Sequence, residues 1–346
     1  MYFIEKKGLL FMKQGSKIGI VCCSNGLRPE QAETIKMLVQ ILEKSGLEVD
    51  LSPYLYGDEN GQAGTARERA GALMKFYEDD SVTDIFDVSG GDMANEILSY
   101  LDFQTIAYGK KHFWGYSDLT TIINAIYART GKSSVLYQIR NLTYDHSQSQ
   151  ITDFLNTTLA GSSSLYDFPY EFVQGTHMEG IVVGGNIRCL LKLAGTPYWP
   201  DMREKILLLE SFGGKLPQMV TYLSQLSQMG VFKKVNGILL GTFTKMEADN
   251  CQPDMAKLLL EFTEKKTPIA KTPLIGHGTD SKAIRIGHRL KLFSAEATKI
   301  SSDKAIELTN EIKSKLVTKD IDRMLLKYFT EASDECGMDY DKSIIK

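Results

Sequence analysis

The chain has 346 residues, 43% of them hydrophobic and 24% charged, with a formal net charge of -3. That length exceeds one small domain and makes two domains the expectation. Without a basic excess, nothing in the composition argues for a nucleic-acid polymer or an anionic membrane as partner.

Five cysteines, Cys22, Cys23, Cys189, Cys251 and Cys336, show no CxxC or Cys/His ligand spacing. An odd, scattered set is a poor disulfide framework and offers no metal site, so a reducing compartment, the cytoplasm, is expected. The apolar run Gly8 to Phe11 is too short for a membrane span or a signal core. Residues 1–15 read as an N-terminal extension, with Met12 an alternative start of the folded unit.

In chain order, Ile18 to Cys23 is a continuous apolar run, the pattern of a strand buried on both faces, turned outward by Ser24-Asn25-Gly26. Pro29 suits a first helical position, and Ile35, Leu38, Val39 and Leu42 carry a helix face that ends at Gly46. Leu47 to Leu51 reads as a second strand, a polar loop spans Tyr56 to Thr65, and a helix runs through Ala70 and Met74 to Tyr77. The strand Asp84 to Val88 empties into Ser89-Gly90-Gly91-Asp92, and Met93 to Tyr100 reads as helix. Two glycines after a strand admit a phosphate or an oxyanion to backbone N–H groups, or simply form a tight βα turn.

Next, His112 to Trp114 is β-prone, Gly115 permits a sharp turn, and Leu119, Ile122, Ile123 and Ile126 have the spacing of a buried helix face. Ser117 at that junction is either an N-cap or a nucleophile at the mouth of a helix, where free N–H groups stabilise an oxyanion. Leu119 occupies a place where nucleophile elbows usually have a small residue. Repeated β/α alternation over the first 140 or so residues predicts an open parallel sheet. Its ligand loops lie at the strand C-termini, which brings Gly91 and Ser117 to one edge.

Asn141 to Glu179 is polar with scattered aromatics and reads as a crossover between domains. A second unit opens with Ile181-Val182-Val183-Gly184-Gly185-Asn186 and a helix carrying Leu190, Leu191 and Leu193. Dinucleotide binding at Gly184-Gly185 has only an incomplete fingerprint. The strand Lys205 to Leu209 ends in Glu210, a carboxylate that has either reached solvent or serves a site. After a helix through Tyr222 to Met229, a strand at Gly237 to Gly241 and a helix from Met255 to Phe262, His277 stands between Gly276 and Gly278. It is a surface loop residue or a placed base. Arg285 to Gly287 and Leu290 to Phe293 close the second unit with strands, and a charged helical tail follows.

A serine at a helix start, a carboxylate at a strand end and a histidine in a glycine loop are the ingredients of acyl transfer. On these residues, with Ser89-Gly90-Gly91-Asp92, Asn95-Glu96-Ile97-Leu98, Gly115 to Thr120, Gly184-Gly185-Asn186, Ile206 to Glu210 and Gly276-His277-Gly278 in order, the chain resembles the LD-carboxypeptidase family of serine peptidases. The wording of the Ser-Gly-Gly-Asp loop is closer to its microcin C immunity branch. The resemblance implies an α/β fold of two domains. An N-terminal open parallel-sheet α/β sandwich (16–145) carries Ser117, a crossover (146–179) follows, a smaller C-terminal β-rich α/β domain (180–310) carries Glu210 and His277, and a helical tail (311–346) ends the chain.

It further implies a Ser117, Glu210, His277 triad, an oxyanion hole from the backbone N–H groups of Gly91 and Asp118, no cofactor, no metal, and a homodimer. The implied substrate is a peptidyl- or aminoacyl-nucleotide, with a murein tetrapeptide as the alternative. A ligand-binding protein without turnover is the reading from another class. Two departures stand out: the crossover holds no tryptophan to stack a nucleobase, and Tyr137-Gln138 replaces the family's Tyr-Gly-Pro turn. Amidotransferases of related layout use cysteine, and Ser117 is not one.

Overall fold

A computed structural model describes residues 12–294. The tail expected to be helical from residue 311, residues 295–310 of the expected C-terminal domain and all but the last residues of the expected N-terminal extension lie outside that range. Twelve strands are described: β1 (Lys17–Val21), β2 (Glu48–Leu51), β3 (Val82–Asp87), β4 (His112–Gly115), β5 (Ser134–Leu136), β6 (Glu171–Gln174), β7 (His177–Asn186), β8 (Lys205–Ser211), β9 (Gly237–Phe243), β10 (Ile269–Lys271), β11 (Ile284–Ile286) and β12 (Arg289–Phe293). They form two six-stranded sheets, ordered β11-β5-β4-β3-β1-β2 and β12-β7-β8-β9-β10-β6.

In the first sheet β2, β1, β3, β4 and β5 are parallel. The order reverses between β1 and β3, and ligands of open α/β sheets bind outside the strand C-termini at such a switch point. The apolar runs explain the layering: Ile18 and Ile20 of β1 and Ile85 and Phe86 of β3 are fully buried. Helix α1 (Ala32–Lys44) buries Ile35, Leu38 and Leu42. Helix α2 (Ala66–Glu78) starts with a capping box in which Thr65 and Glu68 satisfy each other's N–H groups. It lies so close to β1 that a Cβ at Gly19 would stand 2.7 Å from the Phe76 ring.

Three segments differ from the sequence reading. Ile284–Ile286, read as part of the second unit, adds antiparallel to β5 at the edge of the first sheet. Much of the expected crossover is built into the first core: the helix Ser147–Thr158 buries Phe154 there, with Leu165 and Tyr166, and β6 then joins the second sheet. Their aromatic and aliphatic side chains have a sheet face to cover, which a polar linker would leave open. Ala94–Tyr100 is 3-10 rather than α-helix.

Helix α3 (Thr120–Thr130) follows Ser117 and is buried from Thr120 through Ile126. Its apolar side packs into a core shared by both sheets, with Leu119, Ile122 and Ile126 beside Val182, Ile206 and Leu208. Its polar side is satisfied by the second domain. The Asn124 amide donates to Gly184 O at 2.9 Å and accepts from Gly184 N at 2.8 Å, and Asn186 N donates to Thr120 Oγ1 at 3.0 Å. Gly185, at φ +132°, leaves 2.7 Å between a hypothetical Cβ and Thr120 Oγ1. Gly184 and Gly185 therefore serve close packing, Gly184 against β8, where a Cβ would stand 2.2 Å from Leu208 O, and Gly185 against the helix Thr120–Thr130, rather than a dinucleotide.

Candidate active site

The position of Ser117 is set by backbone geometry. Ser117 has φ +52°, a left-handed conformation that costs a non-glycine residue about 1–2 kcal/mol. The cap position falls on Tyr116, which makes no side-chain capping bond, so Ser117 is not the N-cap that its local sequence allowed. Leu119 is accommodated because Gly115 lies beneath it: a Cβ at Gly115 would come within 2.7 Å of Leu119 Cβ. The small residue that a tight elbow needs stands before the serine rather than after it.

A buried polar network holds this elbow. Asp118, fully buried, accepts from Ser24 Oγ at 2.6 Å and Ala94 N at 2.8 Å, and its other oxygen pairs with Lys192 Nζ at 2.5 Å. Lys192 follows the short helix Ile187–Leu191 of the second domain and also donates to Asp92 O at 2.8 Å. Arg188 from the same helix pairs with the Asp92 carboxylate, holding it below the usual carboxylate range, and donates to Gly91 O at 2.9 Å. Beneath, Asp87 accepts from Cys23 N, Ser89 N and Ser89 Oγ. Burial pushes the Asp87 carboxyl upward, against those bonds. Arg69, only 1% exposed, donates to the Cys23 and Ser24 carbonyls and pairs with Glu96 at 2.5 Å.

Glu210 and His277 come from the second domain. Glu210 is 1% exposed at the end of β8, so the strand has not reached solvent there. Its Oε2 lies 2.7 Å from His277 Nδ1. A buried carboxylate accepts from an Nδ1–H, which leaves His277 Nε2 as the basic nitrogen, and Nε2 makes no hydrogen bond. The imidazole lies between the rings of Tyr116 and Phe212, with centroids at 5.6 and 5.2 Å. Gly276, at φ +145°, brings the loop against β9; a Cβ there would be 2.1 Å from Thr242 Oγ1.

Both domains open onto one cavity of about 360 Å³ lined by Gly90, Gly91, Tyr116, Ser117, Phe212 and His277. Glu210 lies behind it, in a smaller adjoining pocket also lined by Ser117 and His277. The structure thus brings together Ser117, Glu210, His277, Gly91 and the residue after the serine, Asp118. Sequence reasoning missed Tyr116, Gln138, Arg140, Tyr144 and Phe212, which also line the cavity. Arg140, just past β5, had a usable signal, a charge at the C-terminal end of a parallel strand. Phe212 had none. Trp199 packs in the core instead of lining the cavity.

Comparison with known proteins agrees with this architecture. The LD-carboxypeptidase N-terminal domain profile matches residues 18–137, and the C-terminal domain profile matches residues 179–292. The chain belongs to the LD-carboxypeptidase family of serine peptidases. It is 28% identical to a probable murein peptide carboxypeptidase of Bacillus subtilis, over 84% of this chain and 92% of that protein. It is 25% identical to the microcin C7 self-immunity protein MccF of Escherichia coli, over 66% of this chain and 76% of that one. A solved structure of MccF in complex with aspartyl sulfamoyl adenosine superimposes with a TM-score of 0.71 at 20% identity, covering 82% of this chain and 98% of that one. Among the described residues no helix is long and apolar enough to cross a membrane.

Proposed function

We propose that this LD-carboxypeptidase-family chain hydrolyses an amide bond near the C-terminus of a small peptide conjugate by a Ser117, His277, Glu210 triad. The observation that carries the reading is the left-handed Ser117 on the wall of the same cavity as an imidazole whose Nδ1 is held by buried Glu210. Ser117 Oγ attacks the carbonyl carbon while His277 Nε2 takes its proton. The tetrahedral oxyanion lies against the backbone N–H groups of Gly91 and Asp118. As the intermediate collapses, the imidazolium gives its proton to the departing nitrogen, and water then releases the acyl group by the same route. Glu210 fixes the imidazole's orientation and stabilises its charged form.

For the substrate, a peptidyl- or aminoacyl-nucleotide is favoured by Phe212, 61% exposed beside His277, a ring able to stack on a base in place of tryptophan. The ligand in the similar MccF structure is of that class. A murein tetrapeptide is the second reading, supported by the Bacillus subtilis relative that spans most of the chain.

A side-by-side assay of an L,D-tetrapeptide and an aminoacyl sulfamoyl adenosine tests both. Ser117→Ala is expected to abolish turnover of whichever is cleaved, and a fluorophosphonate is expected to label Ser117. Unlabelled Ser117 together with undiminished binding would instead indicate a ligand-binding protein. His277→Ala is likewise expected to abolish turnover; activity insensitive to that substitution would contradict the triad.

A further inference from the structure

The catalytic cavity contains a cation that the acyl-transfer mechanism does not use. Arg140 lies just after β5, is 7% exposed, and lines the cavity with Ser117 and His277. One terminal nitrogen donates to Tyr116 Oη at 2.8 Å, and Nε has no hydrogen-bond partner. Among the described residues no carboxylate pairs with it. None of the residues lining the cavity is Asp or Glu, and Arg140 is the one Lys or Arg among them.

Among the described residues three other buried or half-buried cations have a carboxylate, while buried Lys111 donates to the Tyr77 carbonyl. Arg69 has Glu96, Lys192 has Asp118, and Lys282 has Asp153. A guanidinium removed from water without a counter-ion is costly, and the fork of donors it presents matches an oxyanion. Its position assigns the side of the substrate. Tyr116 carries Arg140 on its hydroxyl and packs its ring against His277, the group that delivers a proton to the departing nitrogen. Through Tyr116, Arg140 is tied to the side of the cavity on which His277 stands.

Resting on the proposed hydrolysis, we infer that Arg140 is the specificity-determining residue that binds an oxyanion on the leaving group, next to the scissile amide. In a peptide substrate this anion is the terminal carboxylate; in a nucleotide conjugate it is the acidic linker to the ribose. The guanidinium pairs with either through charge-assisted hydrogen bonds.

The test uses the Ser117→Ala full-length chain, so that binding is read without turnover. Calorimetric titration compares an L,D-tetrapeptide with its C-terminal carboxamide. The free acid is expected to bind on the order of 30-fold more tightly, the usual size of a hydrogen bond to a charged group. Adding Arg140→Gln is expected to weaken the acid to the level of the amide, and Arg140→Lys to recover part of the difference. Aminoacyl sulfamoyl adenosine, titrated in parallel, identifies the source of the anion: the ligand that loses affinity in Arg140→Gln is the one Arg140 reads. Equal binding of acid and amide with no effect of Arg140→Gln on the nucleotide, an equal loss on acid and amide, or no binding of any ligand would each overturn the assignment. Absence of hydrolysis by the unsubstituted chain would defeat the catalytic reading while leaving these binding comparisons to decide Arg140.

Discussion

The two sides of the cleft position their chemistry by different means. On the first-domain side, Ser117 is placed by its backbone, and the loops around it are held by Asp87, Arg69, Asp118, Lys192 and Arg188 in several mutually supporting contacts. On the second-domain side, the His277 ring has one hydrogen bond, to Glu210, and two aromatic neighbours. Redundant support spreads the loss when one contact is removed. A single contact concentrates it.

The largest effect is therefore expected at Glu210. Glu210→Gln keeps the shape but removes the charge that stabilises the imidazolium, and a side-chain amide turned to donate to Nδ1 would select the tautomer whose Nε2 cannot accept. We expect kcat to fall on the order of 10³- to 10⁴-fold, measured on whichever substrate the parent cleaves, with little change in the urea midpoint. A loss below about tenfold would show that His277 is held by its loop rather than by Glu210.

Gly276→Ala tests that loop directly. A Cβ at 2.1 Å from Thr242 Oγ1 on a residue with φ +145° has no room, so the loop must shift and carry His277 with it. A displacement of about 1 Å costs on the order of 10²-fold in rate. Thr242→Ser keeps that oxygen and should not relieve the clash, whereas Thr242→Gly should restore part of the activity.

On the opposite side, Lys192→Met is expected to act on stability more than on chemistry. It leaves one oxygen of the fully buried Asp118 without its cation, while Ser24 and Ala94 still donate to the other. A loss of about 3 kcal/mol in denaturant unfolding is expected, with kcat reduced only about tenfold. Adding Asp118→Asn should return part of the stability, since it removes the stranded charge; strict additivity of the two losses would mean that the pair does not couple.

How much of this was legible in the sequence follows from the range of the forces involved. Apolar runs report burial locally, so Ile18 to Val21 and Ile206 to Leu209 could be read as interior strands. The left-handed φ of Ser117 leaves no mark in residue type, and Gly115 acquires its meaning only from its contact with Leu119. The three-residue strand Ile284–Ile286 carries no signal that says which sheet it joins; its return to β5 is decided by tertiary pairing. Glu210 stood equally for a solvent-exposed strand end until the structure buried it behind the cavity. Arg140 offered only its charge beyond a strand end, because its lack of a counter-ion is defined by what does not surround it.

The smallest effect sharpens the comparison from beneath Ser117. Cys22 and Cys23 follow β1 under the elbow network and are buried, whereas Cys251 is partly exposed. Burial, helped by the neighbouring Asp87 carboxylate, pushes the Cys22 thiol up to about 12, and Cys23 is raised for the same reasons. At neutral pH the reactive thiolate is then a very small fraction in addition to being shielded. Iodoacetamide followed by peptide mass spectrometry should modify Cys251 well before Cys22 or Cys23. In the Lys192→Met chain the logarithm of the Cys22 rate should rise in proportion to the lost stability if the network opens as one unit with the global fold, and by more if the elbow opens locally. Unchanged Cys22 protection alongside a lowered urea midpoint would show that the two sides of the cleft differ less than their contacts imply, with Lys192 serving the domain junction and the elbow standing on its backbone geometry alone.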